Sequence, residues 1–160
     1  MPRDEAVAEV RRHLAAPPRR VFAAFADASL VSRWLTPSRD VELDVVEFDF
    51  RVGGTYRFAY RVPGRETMLV SGVYRLIEPP SLIVFSWDIA PPDEHAGVRS
   101  EVTVSLSPQG AGTDLLIRHA QLMAPNARER HAAGWGGAVD HLVAMIEDID
   151  GTPSITGGQR

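Results

Sequence analysis

Cysteine is absent from the 160 residues, which excludes a disulfide framework, thiolate metal ligation and a cysteine nucleophile, and permits a reducing compartment. A surplus of one charge is also missing. The 17 Lys and Arg against 21 Asp and Glu leave a net charge of −4, which exerts no long-range pull on phosphate backbones or anionic lipid. Nucleic acid is therefore not an expected partner. No apolar run approaches the roughly 20 residues needed to span a bilayer, and the polar start Met1-Pro2-Arg3-Asp4-Glu5 leads into no apolar signal segment. The cytoplasm is the expected location. The G-x-S-x-G, P-loop and G-x-G-x-x-G patterns are missing, and no two histidines stand four apart beside a glutamate. Neither a metal nor a cofactor is expected.

What is present is enough to fold. With 44% of its residues hydrophobic, a chain of this length can bury one core without staples, so one domain is expected over residues 1–150, followed by a flexible Gly-, Ser- and Thr-rich tail over 151–160. Alternation from Val7 to Leu14 predicts a first strand, which Pro17-Pro18 ends. The prolines also suit a helix start, and Val21, Phe22 and Phe25 share one helical face. Asp27 is placed to cap a second short helix carrying Leu30, Val31, Trp34 and Leu35, stopped by Pro37.

From Val41 to His119 the period becomes two. Tyr56, Phe58 and Tyr60 face one way, and Arg57 and Arg61 the other. Gly53-Gly54, Pro63-Gly64, Pro79-Pro80, Pro91-Pro92 and Gly110-Ala111-Gly112 punctuate six strands, whose short connections favour antiparallel hairpins. Asn126 and Glu129 have the spacing of a capping box for a last helix, whose stripe of Trp135, Val139, Leu142, Val143, Ile146 and Ile149 is apolar. The order β-α-α-β6-α leaves that helix as the only long element able to cover the sheet. The expected class is α+β, a curved antiparallel sheet around a long C-terminal helix, the helix-grip fold.

Three glycines, Gly134, Gly136 and Gly137, fall inside the predicted helix at about 1 kcal/mol each relative to alanine. Two readings are open. Either the helix begins after them, or small residues let it pass close to the sheet while Trp135 closes one end of a pocket.

Several segments, taken in order, resemble a known family. They include Arg12-His13-Leu14-Ala15-Ala16-Pro17, Arg33-Trp34-Leu35-Thr36-Pro37, Asp49-Phe50-Arg51-Val52-Gly53-Gly54-Thr55-Tyr56, Ser71-Gly72-Val73-Tyr74, Phe85-Ser86-Trp87 and Gly134-Trp135. By these the chain resembles the activator of Hsp90 ATPase homologue 1-like proteins of the SRPBCC, START-like and Bet v 1-like superfamily. The resemblance implies the helix-grip fold and a hydrophobic cavity. It implies function only loosely, because relatives include chaperone activators, carriers and cyclases.

Trp34, Tyr56, Phe58, Tyr60, Phe85, Trp87 and Trp135 fall on elements that face the interior, and aromatic rings with polar tips suit a pocket for amphipathic molecules. Plain core packing is the alternative role for them. His119 joins this candidate ligand-binding set because it lies on the predominantly apolar face of its strand, where the alternative is a structural hydrogen bond. Arg12 is read as one half of an ion pair. The expected activity is non-catalytic binding of a small apolar or amphipathic molecule by a monomer or homodimer. The two alternatives are a module that binds a protein partner, and a cyclase or hydrolase using the same pocket with His119 or an acidic residue as general base.

Overall fold

Pro17 and Pro18 separate the first strand from the first helix in the computed structural model, which describes residues 7–91, 93, 96 and 99–151. β1 (Ala8–Leu14) stops before them, and α1 (Pro18–Ala26) begins on Pro18, where a missing N–H costs nothing. The Asp27 carboxylate caps α2 (Ala28–Trp34) by accepting from Ser29 N at 2.9 Å and Ser29 Oγ at 2.7 Å. Those bonds hold its carboxyl below the usual range. The helix stops earlier than Pro37 requires. Leu35 is its C-cap, at φ −83° and ψ 59°, outside the helix that the sequence assigns it to.

Six strands follow: β2 (Glu42–Phe48), β3 (Thr55–Arg61), β4 (Met68–Glu78), β5 (Leu82–Ile89), β6 (Arg99–Gln109) and β7 (Gly112–Ala120). All neighbours pair antiparallel in one seven-stranded sheet of order β1-β7-β6-β5-β4-β3-β2. The first two strands thus occupy opposite edges, and α1 and α2 carry the chain across from one edge to the other. Register shifts at Val45/Glu47 and Tyr74/Leu76 mark β-bulges, which increase twist and bend the sheet into a grip.

The last helix, α3 (Ala127–Gly151), fills the grip and runs one residue past the expected domain end. Trp135, Ala138, Val139, Leu142, Met145 and Ile146 are buried in one core with the inward faces of the strands and helices α1 and α2. Asn126 does not have the extended backbone of a capping residue, since its φ is +65°. Its carbonyl nevertheless accepts from Arg130 N at 3.0 Å. Arg12 pairs with Asp140 on α3 at the surface, so its charge is not buried. No helix among the described residues is long and apolar enough to cross a membrane. His95, Val98, the tail from residue 152 and the side chain of Ile149 lie outside the described residues.

Candidate functional site

A close approach of α3 to the loop after α2 builds one wall of the site. A Cβ on Gly137 would lie 2.0 Å from the carbonyl oxygen of Pro37, whereas one on Gly134 would meet only Pro37 Cβ at 3.8 Å and one on Gly136 nothing within 4 Å. The helix therefore begins before the glycines. What Gly137 admits is the α2–β2 loop, not the sheet. Beside this contact lies a cavity of about 400 Å³. Its wall takes Leu35, Thr36, Pro37 and Val41 from the loop side, Tyr60, Met68, Trp87 and Ile89 from the sheet, and Arg130, His131, Gly134 and Trp135 from α3.

A directed hydrogen-bond chain stands behind that wall. The Trp135 indole N–H can only donate, and it does so to His119 Nδ1 at 3.0 Å. Nδ1 is therefore unprotonated, and the neutral ring carries its proton on Nε2, 2.7 Å from Ser100 Oγ. Ser100 in turn donates to the carbonyl of Trp87 at 3.0 Å. Burial, with nearby His131 second, pushes the His119 pKa down to about 2, so this neutral form persists across the ordinary pH range. The consequence is chemical. With its Nε2 proton pointed at Ser100, His119 is not poised to take one from it, and the pair lacks the polarity of a nucleophile and its base.

The eight sequence-predicted residues separate into three groups. Tyr60, Trp87 and Trp135 line the cavity, with the two indoles 5.5 Å apart between centroids. His119 is fully buried behind them, and its partners are Ser100 and Trp135. Trp34, Tyr56, Phe58 and Phe85 are instead placed around a void of only about 20 Å³ deeper in the core. Trp34 packs edge-on against Phe25 and donates to Ala24 O at 2.9 Å. The reason is the helix crossing: α1 and α2 fill the end of the grip facing Tyr56 and Phe58, and only Tyr60, farther along the same strand face, meets open space. The Tyr60 hydroxyl donates to Leu35 O at 3.1 Å and thereby holds the end of α2 against β3. Burial raises its pKa, which keeps it a donor.

Among the wall residues absent from the predicted set, His131 and Arg130 bear most on the chemistry. His131, one helical turn before Trp135, is buried, with Nδ1 donating to Ala127 O at 2.8 Å and its ring 4.7 Å from that of His119. Its i, i+4 spacing to Trp135 was a usable signal. Arg130 grips both carboxylate oxygens of Asp93, at 2.8 and 2.6 Å, and lies 3.1 Å from Met68 Sδ. These contacts span 37 and 62 residues, beyond any local pattern. The Trp87 indole N–H has no hydrogen-bond partner among the described residues. No cluster of three or more His, Asp or Glu residues suited to a metal forms among the described residues.

A family model described as activator of Hsp90 ATPase homolog 1-like protein matches residues 15–147. Among solved structures, the chain is similar to protein CV1439 from Chromobacterium violaceum, with 27% identity, coverage of 89% of this chain and 98% of that one, and a TM-score of 0.80. It is similar also to CalU16 from Micromonospora echinospora, with 27% identity, coverage of 88% and 75%, and a TM-score of 0.65. The AHSA1 protein from Silicibacter pomeroyi shares the fold at 23% identity, coverage of 88% and 97%, and a TM-score of 0.77. No curated protein matches the chain.

Proposed function

The chain belongs to the activator of Hsp90 ATPase homolog 1-like family, and on that premise we propose that it binds a small apolar or amphipathic molecule, without chemistry, between its sheet and its C-terminal helix. The observation that carries this reading is the cavity of about 400 Å³, a size suited to a small ligand, with an indole pair on its wall. Apolar surface supplies the affinity, at about 25 cal/mol per Å² removed from water. The polar groups supply orientation. No Asp or Glu is among the described lining residues, and the cation there, Arg130, is already held by Asp93. Neutral or anionic amphiphiles are thus favoured over amines, which would find no carboxylate among the described lining residues.

Gly134→Leu tests the reading without weakening the helix. Gly134 lines the cavity and leaves room for a Cβ, so a leucine there fills ligand space while improving helix propensity. Titration with an environment-sensitive dye such as 1-anilinonaphthalene-8-sulfonate should show saturable binding to the wild type, weakened at least about tenfold in the variant. The thermal midpoint should hold or rise. Arg57→Ala, on the exposed outer face of β3, is the control and should bind as the wild type does. Equal affinity in Gly134→Leu and wild type would remove the cavity as the site.

A further inference from the structure

Leu35 and Trp135 are the two side chains that line both the main cavity and the small void beyond it. They form the partition between the two spaces. Trp135 is fixed there by its bond to His119. Leu35 is fixed by its backbone, with its N–H donating to Val31 O at 3.0 Å and its carbonyl accepting from Tyr60 at 3.1 Å. Its buried side chain is held only by packing. It is therefore the one member of the partition that can change size without breaking a hydrogen bond.

Resting on the binding role proposed above, we infer that Leu35 is a specificity-determining residue, the stop that sets how far the apolar part of a ligand penetrates. The space behind it is ringed by Phe25, Phe50, Tyr56, Phe58 and Phe85. The Tyr56 hydroxyl is committed to Ser86 O at 2.7 Å and the Trp34 indole N–H to Ala24 O at 2.9 Å, so a ligand tip arriving there meets mostly hydrocarbon and ring faces, with the Tyr74 hydroxyl as the one polar side-chain group among the described lining residues not given to such a bond or to His119. Thr36, Arg130 and His131 border only the outer cavity. A ligand that enters tail first leaves its hydrogen-bond acceptor or anion beside those three residues, the polar end of the cavity, where Arg130 also holds Asp93 and Thr36 also meets His141. The class this selects is a single-headed amphiphile, with an unbranched chain or flat ring as its tail and a neutral or anionic head.

The residue sets a length, so a length series is the test. Straight-chain carboxylates from six to sixteen carbons, competed against the bound dye, should show a length of tightest binding for the wild type. Leu35→Ala joins the void to the cavity, and its optimum should move about two to three carbons longer. Each methylene newly buried adds about fourfold in affinity, so at the new optimum the variant should bind roughly fifteen- to sixtyfold more tightly than the wild type does at its own. Leu35→Trp should shorten the optimum or abolish binding. Should Leu35→Ala fail to melt cooperatively, Leu35→Val opens the same gap by less and should shift the optimum by about one carbon. Identical length profiles in wild type and the folded smaller variant overturn the stop and leave the binding reading standing. If the wild type displaces dye with none of the series, yet Gly134→Leu still blocks the dye, the amphiphile class fails alone. If the dye itself never binds, the underlying reading fails first.

Discussion

Gly137→Ala should destabilise the protein by about 2 kcal/mol or more, although the same change in an ordinary helix interior stabilises by about 1 kcal/mol. The added methyl would lie 2.0 Å from Pro37 O and 2.9 Å from Pro37 C, both backbone atoms, so no side-chain rotation relieves the contact. Either α3 lifts off the loop or the loop moves, and Pro37 is part of the cavity wall. Its neighbour supplies the internal standard. Gly136 has nothing within 4 Å of its Cβ position, so Gly136→Ala should gain the usual 1 kcal/mol or so. Chemical denaturation of the two variants should therefore place the midpoints of adjacent positions on opposite sides of the wild type. If both are stabilised, the contact between α3 and the α2–β2 loop is not as described.

The second large effect belongs to His119. His119→Ala removes a fully buried ring, leaves the Trp135 N–H without its acceptor and opens a hole in the core, for a loss of about 3–5 kcal/mol. His119→Gln keeps a donor and an acceptor and should lose about 1–2 kcal/mol at neutral pH. Acid separates these contributions. The folded pKa is depressed to about 2 from an ordinary value of 6.5, so below pH 6.5 the unfolded chain takes up a proton that the folded chain refuses. The stabilisation is complete above pH 6.5 and drains away as pH falls toward 2, at about 1.4 kcal/mol per pH unit. Between pH 6.5 and 4.5 the wild type should lose about 2–3 kcal/mol from this residue, and His119→Gln should lack that component. Denaturation midpoints across this range check it, and parallel curves for the two proteins would mean that His119 takes up its proton in the fold over the same pH range as in the unfolded chain.

The faces of the elements were legible in the sequence, and their depth was not. Period-two alternation put Tyr56, Phe58 and Tyr60 on one side of β3, and all are buried there. Which end of that row meets open space depends on α1 and α2 crossing from one sheet edge to the other, a fact of strand order that no local pattern contains. Hence Tyr60 lines the cavity while Tyr56 and Phe58 pack around the inner void. The glycines of α3 were visible as an anomaly in helix propensity. The cause of Gly137 was out of reach, because Pro37 meets it from the far side of the intervening sheet sequence. Asn126 shows the converse error, in which a good capping residue type occupies a left-handed backbone position that asparagine tolerates equally well.

The hydrogen bonds of the indoles give the molecule a built-in set of spectroscopic labels. Its three tryptophans have three different N–H environments: Trp34 bonded to a backbone carbonyl, Trp135 to an imidazole nitrogen, and Trp87 unbonded among the described residues. Hydrogen bonding deshields an indole proton, so in a proton–nitrogen correlation spectrum Trp87 should resonate upfield of the other two. Trp34, outside the main cavity, then serves as a fixed reference for the two indoles on its wall. Occupancy of the cavity, and the side from which a molecule touches it, become readable from two peaks without a dye or an attached tag.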